Sequence, residues 1–250
     1  MAKVVVGGVG VDIIGRDDLH AAISRCVDGG GQAVFAYANI HAINLANADH
    51  LFSEFLNNAT TVYCDGEGVR LGARMLGRIL PPRVVLTYWI WDLCALCEER
   101  GFSMFFLGST PENVELAVQE IRKRHPSLLV AGYHHGYFDK KGGDNETVLK
   151  MIRSARPHLL FVGFGMPLQE HWIAENRDRI RANVILPSGS MIDYIAGRKR
   201  PAPAWMANHG MEWLFRLLQE PRRLWRRYLL GNVLFFIRVA RQLARFGNGS

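Results

Sequence analysis

The sequence predicts an α/β fold: a mainly parallel sheet with helices on both faces, followed by a basic helical appendage. Three observations predict it. Short apolar runs rich in strand formers alternate with stretches whose apolar residues recur at helical spacing. Turn chemistry marks the joins. A composition break at Arg198-Lys-Arg-Pro-Ala-Pro203 separates a body, residues 1–197, from a tail, residues 198–250. The 250 residues suffice for one sizeable core plus that appendage.

The runs read as strands are Ala33–Ala36, Thr61–Cys64, Ser103–Leu107, Leu128–Gly132, Leu159–Val162 and Val184–Leu186. Helical spacing covers Asp17–Cys26, His41–Asn47, Gly68–Met75, Glu112–Arg124, Asn145–Ala155 and Gln169–Arg181. At Gly108-Ser109-Thr110-Pro111 a strand ends and a helix begins. Thr110 suits the N-cap and Pro111 the first helical position. In the tail, Ala204–Gln219 and Glu220–Arg245 read as helices joined at Pro221.

Charge is concentrated at the C-terminal end. From Gly197 onward there are eleven Lys/Arg against two acids, whereas residues 1–196 hold nineteen bases against twenty-one acids. A basic tail on a nearly neutral body calls for an anionic partner. The tail's apolar core, Tyr228–Ile237, is about half the ~20 residues that a spanning helix needs. Bulky apolar residues interleaved with Arg suit a helix lying in the headgroup layer. A helix packed on the body with a solvated basic face is the plainer alternative. The N-terminus lacks the apolar core of a signal peptide. Cys94-Ala-Leu-Cys97 stands without a second pair in an apolar run, so buried thiols are expected there. The adjacent His134 and His135 lack metal-ligand spacing. No metal site and no cofactor is expected.

Ligands of parallel sheets bind beyond the carboxyl ends of strands. Four polar groups lie there. Asn39, in Tyr37-Ala-Asn39-Ile-His41, offers a donor and an acceptor that suit sugar hydroxyls, with a helix N-cap as the competing reading. Asp65, in Asp65-Gly66-Glu67-Gly68, is a carboxylate between small residues. It suits proton abstraction from a hydroxyl, with a turn aspartate as the competing reading. Val162-Gly163-Phe-Gly165-Met-Pro-Leu-Gln169-Glu170 allows close backbone approach. It lacks the third glycine of a dinucleotide fingerprint, which argues against a nicotinamide oxidoreductase. Pro187-Ser-Gly189-Ser, running into Arg198-Lys-Arg200, suits a diphosphate. The chain has no Asp-x-Asp, P-loop, HExxH or GxSxG.

These groups, in this order and ahead of an Arg/Trp-rich tail, resemble the WecG/TagA/CpsF glycosyltransferase family. The likeness runs from about Phe35 to about Tyr228. Its most specific stretches are Val162–Trp172 and Met211–Tyr228, supported by Cys64–Val69 and Gly132–Phe138. The resemblance implies a bacterial enzyme with a Rossmann-like body. It implies a UDP-sugar donor and a polyprenyl-diphosphate-linked saccharide acceptor, as in cell-surface or exopolysaccharide biosynthesis. It implies inversion without a metal, at the cytoplasmic face of the inner membrane, peripherally bound to anionic lipid. Members can self-associate, so a homo-oligomer is an expected partner state. Asp65 matches the proposed general base. Substrate contacts are expected at Asn39, Thr87, Asp92, Gly108, Ser109, Gly136, Gly163, Gly165, Gln169 and Gly189. The basic segment holding Arg200, Arg216, Arg222, Arg223, Arg226 and Arg227 matches the one that meets diphosphate and membrane.

The chain departs from the family pattern at three places. Tyr37 replaces a small hydroxyl residue. The loop Arg83-Val-Val-Leu-Thr87-Tyr-Trp-Ile-Trp-Asp92 is longer than the usual Arg-Val-x-Gly-x-Asp, and Ser190-Met-Ile-Asp193 stands near the last strand. The donor is therefore left open between N-acetylmannosamine, its uronic acid and glucose. A nucleic-acid-binding protein that uses the basic tail is the rival from another class. It calls for stacking aromatics on a positive groove, and the tail's bulky apolar residues suit a bilayer better.

Overall fold

The structure is a computed structural model that describes residues 2–247, apart from the side chains of 204, 208, 246 and 247. The last three residues of the expected appendage lie outside the described residues. In chain order the elements are β1 (Lys3–Val6), β2 (Val9–Asp12), α1 (Arg16–Asp28), β3 (Ala33–Ala38), α2 (Ile40–Ala46), α3 (His50–Asn58), β4 (Thr61–Cys64), α4 (Glu67–Met75), α5 (Leu86–Arg100), β5 (Ser103–Gly108), α6 (Pro111–Arg124), β6 (Leu129–His134), α7 (Gly142–Ala155), β7 (Leu159–Gly163), α8 (Leu168–Asn176), β8 (Val184–Pro187), α9 (Met191–Ile195), α10 (Ala204–Asn208), α11 (Glu212–Gln219), α12 (Pro221–Trp225) and α13 (Gly231–Gly247). A 3-10 turn, Arg177–Arg179, follows α8, and a π-helical turn, Arg226–Leu230, joins α12 to α13.

All six expected strands form one mainly parallel sheet of order β4-β3-β8-β7-β5-β6, with helices around it. The pairs β3–β8, β8–β7, β7–β5 and β5–β6 are parallel. Thr110 caps α6 by accepting from Asn113 N, with Pro111 in the first turn. Three features differ from expectation. The N-terminal residues form an antiparallel hairpin, β1–β2. The segment read as a long loop is helix α5 from Leu86 onward, so Thr87 and Asp92 are helical. Its buried residues Leu86, Trp89, Ile90, Leu93, Cys94 and Cys97 recur at three and four, which one helix face satisfies. The tail helix expected over 204–219 breaks at Gly210 (φ +72), where the chain turns closely over Glu67.

Packing divides the chain into two compact units. The first comprises Met1–Gly15, Tyr37–Val84 and Pro201–Ser250. Its hairpin turns at Gly7-Gly8 with φ of +59° and +91°, conformations that favour glycine. Asp12, buried, accepts from Val62 N at 2.7 Å and so ties the hairpin to β4. The inner face of α13 buries Phe235 and Val239. A Cβ added at Gly72 would stand 2.8 Å from the Phe235 ring, so this glycine forms a socket for it. The Gln242 amide accepts from Gly7 N and donates to Val5 O, each at 2.8 Å. Arg238 donates to Asn44 Oδ1 at 2.5 Å. Along α13, Val233, Leu234, Ile237 and Leu243 are exposed, as are Arg241 and Arg245.

The second unit comprises Arg16–Ala36 and Val85–Arg200. Its core holds Phe105, Phe106, Phe161, Leu186 and Trp172. The Phe106 and Phe161 rings stack at 5.2 Å. Cys94 and Cys97 are free and buried, as the sequence suggests. Burial pushes the Cys94 thiol up to about 12 and that of Cys97 higher still.

Candidate functional site

In the first unit, Asn39 directly follows the end of β3 and Asp65 directly follows the end of β4. The two ends lie side by side, with Asp65 N donating to Ala38 O at 2.9 Å. Asn39 takes the helix-cap reading, and the same side chain also meets Asp65. Its Oδ1 accepts from Ala42 N at 3.0 Å and caps α2, while its Nδ2 donates to Asp65 Oδ2 at 3.1 Å. Gly66 and Gly68 allow this closeness. A Cβ at Gly66 would stand 3.1 Å from Asn39 Cβ, and one at Gly68 would stand 2.4 Å from Ile40 Cδ1.

Burial raises the proton affinity of Asp65 above the ordinary carboxylate range. The Asn39 hydrogen bond opposes this rise, as does the charge of Arg216. The Glu212 carboxylate adds to it, and Arg83 opposes it. A carboxylate tuned upward is a stronger base at neutral pH. Glu67 and Arg70 form an ion pair of 2.7 Å on the first turns of α4. His41, at the start of α2, is held neutral. Burial and the charge of Arg227 depress its pKa to about 4.

The tail arginines separate by environment. Arg216 is half-buried, and its charge reaches Asp65. Arg227 is half-buried and acts on His41. Arg222 and Arg226 are exposed, as is Arg223, which pairs with Glu220 at 2.7 Å. Arg200, also exposed, closes the second unit. Sequence reasoning did not single out Arg83, Glu212 or His41. Arg83 and Glu212 are brought together from 129 positions apart, which no local pattern signals.

In the second unit the strands β5, β6, β7 and β8 are parallel, so the segments that follow them share one edge. Four glycines line up there. An added Cβ would stand 3.1 Å from Gly108 Cα at Gly136, 2.5 Å from Gly163 O at Gly108, and 2.8 Å from Gly189 O at Gly163. No side chain fits along this row, and the backbone itself forms the surface. Gly108 (φ +156) and Ser109 (φ +59) turn the chain out of β5. The Ser109 hydroxyl donates to Asp193, which also accepts from Asn113 at 3.2 Å and pairs with Lys199 at 3.4 Å. Lys140 lies over the rings of Phe138 and Phe164 and donates to Gly136 O at 2.5 Å.

Gln169 is fully buried. Its Oε1 accepts from Gly165 N at 3.1 Å and Gly189 N at 3.0 Å, joining the turns after β7 and β8. Its Nε2 donates to Glu170 Oε1 at 2.7 Å. Burial raises the pKa of Glu170 to about 7. Gln169 therefore braces the glycine turns from within. Thr87 is half-exposed on the first turn of α5, and Asp92 pairs with Arg16 at 2.8 Å. Among the described residues, no group of three or more His, Cys, Asp or Glu stands together to hold a metal.

Comparison with known proteins agrees with the resemblance drawn from the motifs. The model of the glycosyl transferase WecG/TagA/CpsF family matches residues 4–249. The chain is 30% identical over 204 residues to the N-acetylglucosaminyldiphosphoundecaprenol N-acetyl-beta-D-mannosaminyltransferase of Staphylococcus aureus strain MW2, covering 82% of this chain and 78% of that one. The protein of the same description from strain NCTC 8325 matches at the same identity and coverage. That from strain MRSA252 is 29% identical over the same length.

Proposed function

Because this chain belongs to the WecG/TagA/CpsF family of glycosyl transferases, we propose that it moves an N-acetylmannosamine-type sugar from a UDP-sugar to a polyprenyl-diphosphate-linked saccharide. The names of the relatives favour N-acetylmannosamine as the sugar and N-acetylglucosaminyl-diphosphoundecaprenol as the acceptor. The observation that carries the reading is Asp65: a recessed carboxylate, oriented by Asn39, raised in proton affinity, with Arg216 and Arg83 acting on it.

The reaction is a single displacement with inversion. The acceptor hydroxyl oxygen attacks C1 of the donor as its proton passes to Asp65. The bond between C1 and the UDP oxygen breaks, and the electron pair leaves with the diphosphate. Arginine stabilises that charge in place of a divalent metal. In the first unit a substrate contact is proposed at Asn39; in the second, contacts are proposed along the glycine row, at Gly108, Ser109, Gly136, Gly163, Gly165 and Gly189. Gln169 supports two of those turns.

The protein works at a membrane surface in this reading. No helix among the described residues is long and apolar enough to cross a membrane. The exposed Val233, Leu234 and Ile237 on α13, with the arginines of the tail, suit an anionic headgroup layer at the cytoplasmic leaflet.

The test is UDP release over a panel of UDP-sugars, including glucose and both N-acetylmannosamine forms, with lipid-linked acceptor, with and without EDTA. Acceptor-dependent release from an N-acetylmannosamine donor, unaffected by EDTA, is expected. Asp65→Asn abolishes it and leaves UDP binding nearly intact. A fully active Asp65→Asn enzyme defeats the base assignment, and release that requires a metal defeats the arginine role.

A further inference from the structure

Arg83 grips the C-terminal segment at two points. One guanidinium nitrogen donates to the Glu212 carboxylate, and the other donates to Ala207 O at 2.7 Å. The side chains of the ion pair are only 16% and 15% exposed, so solvent screens them little. Between the two grips the chain reverses at Gly210. An added Cβ there would stand 2.9 Å from Glu67 Cγ, so this turn rests on the first residue of α4.

Arg83 is itself fixed next to the candidate base. Val84 N donates to Cys64 O at 2.8 Å, which places Arg83 beside the strand end that carries Asp65. Glu212 and Arg216 are four residues apart on α11, so they project from one face of that helix, a turn apart. Anchoring Glu212 at Arg83 therefore turns Arg216 toward the same side, and the charge of Arg216 acts on Asp65.

Stability alone does not call for this arrangement. A buried ion pair is on average no more stabilising than apolar residues of the same volume. What it supplies is a fixed place: a two-point guanidinium grip allows one orientation of the segment it holds.

We propose that Arg83 and Glu212 are a positioning pair that seats helix α11 beside Asp65 and so delivers Arg216 to that carboxylate. The pair rests on the reading of Asp65 as the base for its catalytic consequence, but not for the seating itself. Arg83 and Glu212 act through Arg216. The carboxylate's surroundings are complete only when residues 207–216 are docked.

The test uses the full-length chain with Glu212→Ala, Arg216→Ala and the double variant. Glu212→Gln, which keeps an acceptor for Arg83, replaces Glu212→Ala if that variant fails to fold. The first readout is the rate of tryptic cleavage after Arg216 in the folded protein, resolved by mass, and it needs no sugar transfer. The second is turnover on lipid-linked acceptor. Glu212→Ala is expected to speed cleavage and to lower kcat on the order of tenfold, and the double variant to be no slower than Arg216→Ala alone. Unchanged cleavage overturns the seating. Losses that multiply in the double variant overturn the route through Arg216. Faster cleavage together with a fully active Asp65→Asn enzyme keeps the seating and removes only the base.

Discussion

Asn39 holds Asp65 and helix α2 with one side chain: its amide nitrogen donates to Asp65 Oδ2 at 3.1 Å while its oxygen caps the helix through Ala42 N. Asn39→Ser separates the two roles, since the single serine oxygen keeps the cap while the amide nitrogen that reaches Asp65 is gone. The lost hydrogen bond favoured the ionised carboxylate, so the proton affinity of Asp65 rises further. In the proposed displacement, turnover needs that carboxylate free of its proton. The acidic limb of the pH–rate profile therefore moves to higher pH in Asn39→Ser, with thermal stability nearly unchanged. A limb that stays in place contradicts the coupling.

Gln169, itself fully buried, answers two part-buried backbone donors, Gly165 N and Gly189 N, with one oxygen. Gln169→Ala leaves both unpaired, and each orphaned group costs roughly 1–3 kcal/mol. A loss of several kcal/mol is expected in the denaturant midpoint. A midpoint within experimental error of the parent contradicts the brace.

Glu170 makes stability depend on pH. Its folded pKa of about 7 lies above the ordinary 4.5. A raised folded pKa adds stability that is complete below the unfolded pKa and is lost as pH rises through the folded one. The loss therefore falls between about 4.5 and about 7 and totals roughly 3 kcal/mol, taking ~1.4 kcal/mol per unit. Glu170→Gln mimics the protonated acid and removes this dependence. Relative to the parent, it gains stability at pH 8 and not at pH 4, read from denaturant titrations at both. Parallel pH curves for the two proteins contradict the prediction.

Phe235 is fully buried against Gly72. Phe235→Ala opens a cavity worth about 3–5 kcal/mol. Gly72→Ala attacks the same contact from the other side by forcing the ring or Val6 to move. Both variants should speed proteolysis within α13. A Gly72→Ala protein as protease-resistant as the parent rules out the socket.

The sheet was legible because buried parallel strands are continuous apolar runs with polar or glycine ends, and five of the six carry that pattern, the edge strand β6 being partly exposed along its length. The candidate base was legible for the same reason: Asp65 directly follows Thr61–Cys64. The hairpin escaped attention although Gly7-Gly8 between valine runs is a hairpin signal. Helix α5 was masked by its aromatic and β-branched opening, Leu-Thr-Tyr-Trp-Ile-Trp, and by Val85, which makes no side-chain cap. Its identity lies in the burial of one face, which tertiary packing decides. Asn39 shows a different limit: the residue type licensed both a cap and a site contact, and only the position of Asp65 reveals that the capping amide also holds a neighbouring carboxylate. The Arg83–Glu212 pair lies beyond any local reading, because its halves meet only after the chain has folded back.

The first unit is sewn from both ends of the sequence, with hairpin residues Val5 and Gly7 bonded to Gln242. Synthesis makes the hairpin before α13. The second unit, residues 16–36 and 85–200, has all its parts once residue 200 is made. The hairpin waits for its closing helix through the remaining residues, on the order of several seconds at ~5–20 residues per second. During that interval the Gly72 socket lacks the Phe235 ring, and Gly7 N and Val5 O lack Gln242. A nascent chain stalled near residue 220 is therefore a ready client for a chaperone, and emergence of α13 ends that exposure.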